Sequence, residues 1–142
     1  MNIRNEMKLS FPSKSCNESF ARAAVAAFVM NLDPTVEEIS DLKTAVSEAV
    51  TNCIVHGYRR GSGTIFITAK VLEDNRVVVK IRDKGCGIED IKQAMQPLFT
   101  TAPDEERAGL GFAVMQSFCD VVKVSSKPQK GTTVTLEKYI AV

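Results

Sequence analysis

SEAVTNCIVHGY, residues 47–58, decides how this chain is read, because Glu48, Asn52 and His56 recur in it every four residues. At helical spacing such side chains stack along one stripe, which can present a carboxylate and an amide to one ligand. Taking 100° per residue from Leu42, the apolar Leu42, Val46, Ala49 and Cys53 fall within roughly 40° of one direction, the core face. On the same wheel Glu48 lies about 120° from the core centre, Asn52 about 80° and His56 about 40°. Glu48 and Asn52 are therefore expected on the rim and His56 nearly inside. For His56 a hydrogen-bonded core histidine is the plainer reading, and for Glu48 and Asn52 taken alone it is a solvated helix face.

Working outward, Thr35 with Glu38 has the spacing of a capping box, so this helix is expected to start at 36 and run to His56, ending at Gly57. Before it the pattern predicts a strand near 6–11, a helix over 17–31 and a turn at LDP. After it, GTIFITAKVL and RVVVKIRD flank Glu73, Asp74 and Asn75, which reads as an antiparallel hairpin. A short helix near 89–95 and a helix over 110–119 follow, then strands DVVKVSSK and GTTVTLEKY around Lys-Pro-Gln-Lys-Gly. Strands with helices collected on one face predict an α+β fold, a two-layer sandwich with a mixed, mainly antiparallel sheet. With 142 residues, 44% of them hydrophobic, a single domain over 1–142 is expected.

Two further segments carry chemistry. RDKGCGI, 82–88, places Asp83, Gly85 and Gly87 where the chain leaves a β-branched run. Glycines there let the backbone turn and approach a flat ligand, while the carboxylate can accept a hydrogen bond from an exocyclic amine such as that of adenine. AGLGF, 108–112, sets Gly109 and Gly111 before a helix whose first N–H groups suit phosphate oxygens. Each segment alone also reads as an ordinary turn. Between them, the polar stretch over about 96–108 contains two prolines and ends next to glycine, the composition of a mobile lid. Within it Arg107 offers a charged fork, and Thr100 and Thr101 offer hydroxyls, for a terminal phosphate. A surface arginine paired with Glu105 or Glu106 is the alternative for Arg107.

In this order and spacing the three segments resemble the GHKL (Bergerat-fold) ATP-binding superfamily of gyrase, Hsp90, histidine kinases and MutL. The resemblance implies ATP and Mg²⁺ as cofactors. It makes Glu48 the acid that orients or deprotonates the nucleophile, Asn52 the Mg²⁺ ligand, Asp83 the partner of the adenine amine and Gly87 a neighbour of the base. Gly109 and Gly111 would close over the phosphates, and Thr132 or Thr133 of GTTVTLE would assist Asp83, although β-branched residues also suit any strand. If Arg107 acts on transferring phosphoryl charge, its loss should cut turnover by the roughly 10³ to 10⁵ of an arginine finger. A histidine kinase needs a phosphoacceptor histidine on a separate hairpin, whereas the one histidine here is His56. Any phosphoryl acceptor is then expected on another protein.

NESFAR (17–22), LDPT (32–35), SEAVTN, QPLFTT (96–101) and GTTV resemble the sporulation anti-sigma F factor family of endospore-forming bacteria. That family implies inhibition of a sigma F-type RNA polymerase sigma factor, ATP-dependent phosphorylation of a serine on an anti-anti-sigma protein, and a homodimer. Two alternatives stay open: a stress-response anti-sigma kinase with the same pocket, and a nucleotide-gated sigma-binding module whose ATP hydrolysis is incidental. Arg22 is the candidate partner contact, expected to project away from the Phe20, Ala24 and Phe28 side of its helix. An exposed helix arginine is the plainer reading.

Composition narrows the classes further. With 18 basic against 17 acidic residues the formal net charge is +1, which gives no electrostatic footprint for direct nucleic-acid binding. Cys16, Cys53, Cys86 and Cys119 form no CxxC pair, which argues against a zinc site and for reduced, mostly buried thiols. Cys86 lies in the turn itself, where alkylation would block a ligand and inert packing is the alternative. No secretory apolar region or membrane-spanning run is present, so a cytoplasmic protein with no membrane partner is expected.

Overall fold

The computed structural model describes residues 2–95 and 111–141. Five strands, β1 (Ile3–Pro12), β2 (Thr64–Leu72), β3 (Arg76–Asp83), β4 (Val121–Lys127) and β5 (Gly131–Tyr139), form one sheet in the order β1-β2-β3-β5-β4. Every neighbouring pair is antiparallel, the antiparallel extreme of the sheet expected. The α-helices among the described residues are α1 (Asn17–Val29), α2 (Val36–Asn52), the short α3 (Ile91–Ala94) and α4 (Phe112–Phe118).

The strand alternation that the sequence shows is what builds the core. Ile65, Ile67, Ala69 and Val71 of β2, Val77, Val79 and Ile81 of β3, and Val134 and Leu136 of β5 are all buried. Successive side chains of a strand point to opposite faces, so these residues make one apolar floor for the helices. The helices answer with Ala21, Val25 and Val29 of α1, Leu42, Ala45, Val46, Ala49 and Val50 of α2, and Phe112 and Met115 of α4. Each fully buried Leu, Ile or Met contributes about 1.5–3 kcal/mol relative to exposure. The opposite face of the sheet is polar: Lys80, Arg82 and Lys123 are exposed. On it, the buried Glu137 is held by Arg76 at 3.0 Å and Lys123 at 3.4 Å.

Boundaries follow local chemistry. Thr35 Oγ1 accepts the Glu38 N–H at 3.0 Å and Glu38 accepts the Thr35 N–H at 2.8 Å, the reciprocal capping box read from the sequence. The hairpin turn closes through Asn75 N–H to Leu72 O at 3.0 Å, with Asn75 left-handed at φ 62°. Several boundaries differ from the sequence reading. β1 starts at Ile3, because its pairing with β2 extends to Ile3↔Leu72 across an irregularity at Arg4. α1 gives way at Met30 to a short 3₁₀ turn, Met30–Leu32, that ends on left-handed Asp33. The helices expected over 89–95 and 110–119 are shorter. α2 does not run on to His56, but widens after Asn52 into a π turn over Cys53–Gly57.

Candidate functional site

The π turn is where local structure first departs from the wheel. A π turn inserts one residue per turn, shifts the phase of all that follows, and frequently occurs at functional sites. Here it delivers the Gly57 carbonyl to the Cys86 N–H at 2.9 Å, and Cys86 Sγ lies 3.2 Å from the His56 carbonyl. The end of this helix is thus stitched to the turn that follows β3.

That turn is folded around Asp83. Its Oδ1 accepts the Gly85 N–H at 2.9 Å, and the Cys53 thiol and Thr132 N–H also donate to the carboxylate. A Cβ on Gly85 would sit 2.0 Å from the Gly57 carbonyl oxygen, so the close approach requires glycine there. Gly87 is left-handed at φ 75°, and a Cβ on it would strike the Lys127 carbonyl at 2.1 Å. Burial raises the Asp83 pKa, and the hydrogen bonds from Gly85, Cys53 and Thr132 only partly oppose it. The buried Cys53 thiol is pushed up by desolvation and by the neighbouring Asp83 charge, so it stays a neutral donor.

Tyr58 holds this turn from below. Its hydroxyl donates to the Thr64 carbonyl at 2.6 Å and accepts the Lys84 N–H at 2.7 Å, tying the start of β2 to the residue after Asp83.

Between the π turn, β3, β5 and α4 lies a cavity with about 450 Å³ of empty volume, partly open to solvent. Asn52, Asp83, Gly87 and Thr132 of the expected set line it together. Asn52 is only 8% exposed, and neither Oδ1 nor Nδ2 has a hydrogen-bond partner among the described residues. The wheel put Asn52 on the rim. In the structure it is buried: α4 packs against α2, and Phe112 of α4 shares the cavity wall with Asn52. A buried amide without partners costs about 1–3 kcal/mol unless a ligand satisfies it. His56 is buried, as the core reading expected, and its residue also reaches the cavity.

The remaining candidates separate. Glu48 is half-buried one turn before Asn52 on the same stripe, outside the cavity lining. Gly85 supports the turn from behind and Gly111 caps α4 at φ 75°. Thr133 is excluded: it lies between the inward Thr132 and Val134, so alternation puts it on the opposite sheet face, beside Arg82 and Ser125. The core stripe of α1 is Ala21, Val25 and Val29, while Phe20 is 55% exposed and its ring lies 6.3 Å from that of Phe11, at right angles to it. Arg22 therefore lies along the seam with α2, within 3.4 Å of Glu18 and of Ser47, the residue before Glu48. Thr100, Thr101, Arg107 and Gly109, and the lid over 96–108, lie outside the described residues.

Sequence reasoning did not select Ala49, Gly57, Ile88, Phe112 or Val134 as site residues, yet they line the cavity. They are apolar or small and carry no polar signal, and only the π turn and sheet register bring them together.

Residues 11–138 match the model of the histidine kinase-like ATPase domain family. The anti-sigma F factor of Caldanaerobacter subterraneus subsp. tengcongensis is 59% identical, with 99% of this chain and 97% of that protein covered. The anti-sigma F factor of Geobacillus kaustophilus is 54% identical, with 98% and 95% covered. Among solved structures, the RsbU and RsbW domains of Rv1364c from Mycobacterium tuberculosis share the fold at TM-score 0.70 and 19% identity, over 96% of this chain and 32% of that one. The catalytic domain of histidine kinase ThkA shares it at TM-score 0.59 and 15% identity, over 94% and 96%.

Proposed function

The chain belongs to the histidine kinase-like ATPase domain family, in its anti-sigma F factor branch, and from that premise we propose a serine kinase that is also an anti-sigma factor. It binds and inhibits a sigma F-type RNA polymerase sigma factor, and it phosphorylates a serine of the anti-anti-sigma protein that antagonises it. It works as a cytoplasmic homodimer.

The observation that carries the reading is Asn52, a buried amide with no protein partner among the described residues, at the wall of a cavity that Asp83 and Thr132 also line. An amide offers a hard oxygen to Mg²⁺, and a carboxylate in the same cavity suits the adenine amine. When bound, Mg·ATP supplies the phosphoryl group and the cation charge. Asn52 would hold the cation, while Asp83 and Thr132 fix the base edge and Gly87 gives it room. Glu48, one turn away, orients the serine hydroxyl and takes its proton. Gly111, with Gly109, Thr100, Thr101 and Arg107, belongs to the phosphate lid. Arg22 is the proposed partner contact, and its bond to Ser47 links the partner helix to the turn that carries Glu48.

The test is transfer of γ-labelled phosphate from Mg·ATP to the anti-anti-sigma protein, with Glu48→Gln alongside. Labelled serine is expected with the native chain, and transfer about 10² to 10⁴ lower with the variant at unchanged ATP affinity. Tight ATP binding and sigma capture without transfer would instead make the chain a nucleotide-gated binding module.

A further inference from the structure

Asp83 of β3, Thr132 of β5 and Ser126 of β4 stand side by side in register at one end of the sheet. Asp83 and Thr132 line the cavity, while Ser126 does not. Among the described residues, Ser126 Oγ has three polar neighbours: the Ile88 N–H at 2.8 Å, the Gly131 carbonyl oxygen at 2.9 Å and Thr132 Oγ1 at 2.8 Å.

A hydroxyl has one proton and two lone pairs. The Ile88 N–H occupies one lone pair. The Gly131 carbonyl can only accept, so it takes the Ser126 proton, and the remaining lone pair must receive the proton of Thr132. The reverse assignment would leave two lone-pair oxygens facing each other at 2.9 Å, with nothing between Ser126 and Gly131. With its proton committed to Ser126, the Thr132 hydroxyl turns only lone pairs toward the cavity. Ionised Asp83 beside it is also acceptor-only. That end of the cavity therefore asks its ligand for donors.

We propose that Ser126 is a specificity-determining positioning residue, which fixes the Thr132 hydroxyl as an acceptor so that the site takes a purine with an exocyclic 6-amine and rejects one with a 6-carbonyl. This rests on the nucleotide reading of the cavity. A carbonyl oxygen placed there would meet Asp83 and Thr132 with no proton between, whereas an amine has one for each. Without Ser126, the Thr132 hydroxyl is released to rotate and donate to the carbonyl.

The experiment is calorimetric titration with Mg·ATP and, separately, Mg·GTP, on the native chain, Ser126→Ala, Ser126→Thr and Thr132→Val. The native chain is expected to prefer ATP, and Ser126→Ala to narrow the ATP-to-GTP affinity ratio about tenfold, the scale of one buried hydrogen bond. Ser126→Thr, which keeps the hydroxyl on a strand that favours β-branching, should restore the ratio. Thr132→Val should also narrow it, and adding Ser126→Ala on that background should change it no further. Equal loss of both nucleotides in Ser126→Ala, or an unchanged ratio in Thr132→Val, would overturn the proposal. A native chain that binds neither nucleotide would overturn the reading of the cavity itself.

Discussion

The two ends of α2 are built on opposite principles. At the N-terminal end Thr35 and Glu38 cap each other, and the second Glu38 oxygen accepts the Ala141 N–H at 2.8 Å. At the other end the helix widens, its last turn is tied to a neighbouring loop through Gly57 and Cys86, and the Asn52 amide is left unanswered among the described residues. The adjacent carboxylates show the same contrast. Backbone N–H groups of Ala141 and Thr35 hold Glu38 below its ordinary value, while burial raises Asp83. One end stabilises the fold, and the other forgoes stability where a ligand can restore it.

The comparison breaks most sharply at Gly85. Gly85→Ala would drive a methyl group into the Gly57 carbonyl, which must then release Cys86. A loss of about 3 kcal/mol in denaturant unfolding is expected, together with loss of nucleotide binding. A variant that melts normally and still binds would show that the stitch is incidental.

Asp83→Asn should separate function from stability. Because the folded pKa lies above the ordinary 3.8, the folded protein holds more protons than the unfolded chain just above that pH. Stability from this group therefore falls as pH rises through the window, and ionised Asp83 is a net cost at neutral pH. The variant should lose roughly tenfold to hundredfold in ATP affinity, as expected for one charge-assisted hydrogen bond, with a melting temperature at pH 7 equal to or above that of the native chain. A parallel fall in both would assign Asp83 a structural role.

The smallest effects belong to the capped end. Thr35→Ala should cost about 1 kcal/mol and leave nucleotide affinity unchanged. Since the folded pKa of Glu38 lies below its ordinary 4.5, its contribution is present above that pH and lost as pH falls toward the folded value. Glu38→Gln should therefore flatten the acid limb of a stability-against-pH curve, and an unchanged limb would show that a different group sets it.

What the sequence reveals divides along the same line. The capping box, the Glu73–Asn75 turn and the alternation of β2, β3 and β5 are local patterns, and each is found in the fold. Of the candidates, Asn52, Asp83 and Gly87 reach one cavity, and they stand out in the sequence because polar residues and turn glycines carry a chemical signature that spacing assigns to one side of an element. The π turn was not legible, because it has no periodicity of its own and depends on a distant loop capturing Gly57. The choice between Thr132 and Thr133 needed sheet register, since either threonine suits a strand.

The register that sets Asp83 beside Thr132 also governs when this protein becomes competent. β5 is the last of the described strands in the chain, and it inserts between β3 and β4. A ribosome delivers the helix with Asn52 and the strand with Asp83 well before the strand that completes their site. Pairings so distant along the chain are intrinsically slow to form. A chain whose β5 has not yet paired therefore lacks the Thr132 side of the cavity, and a ligand that needs that side would stabilise only the completed sheet, by about 2.7 kcal/mol at a hundred times its dissociation constant.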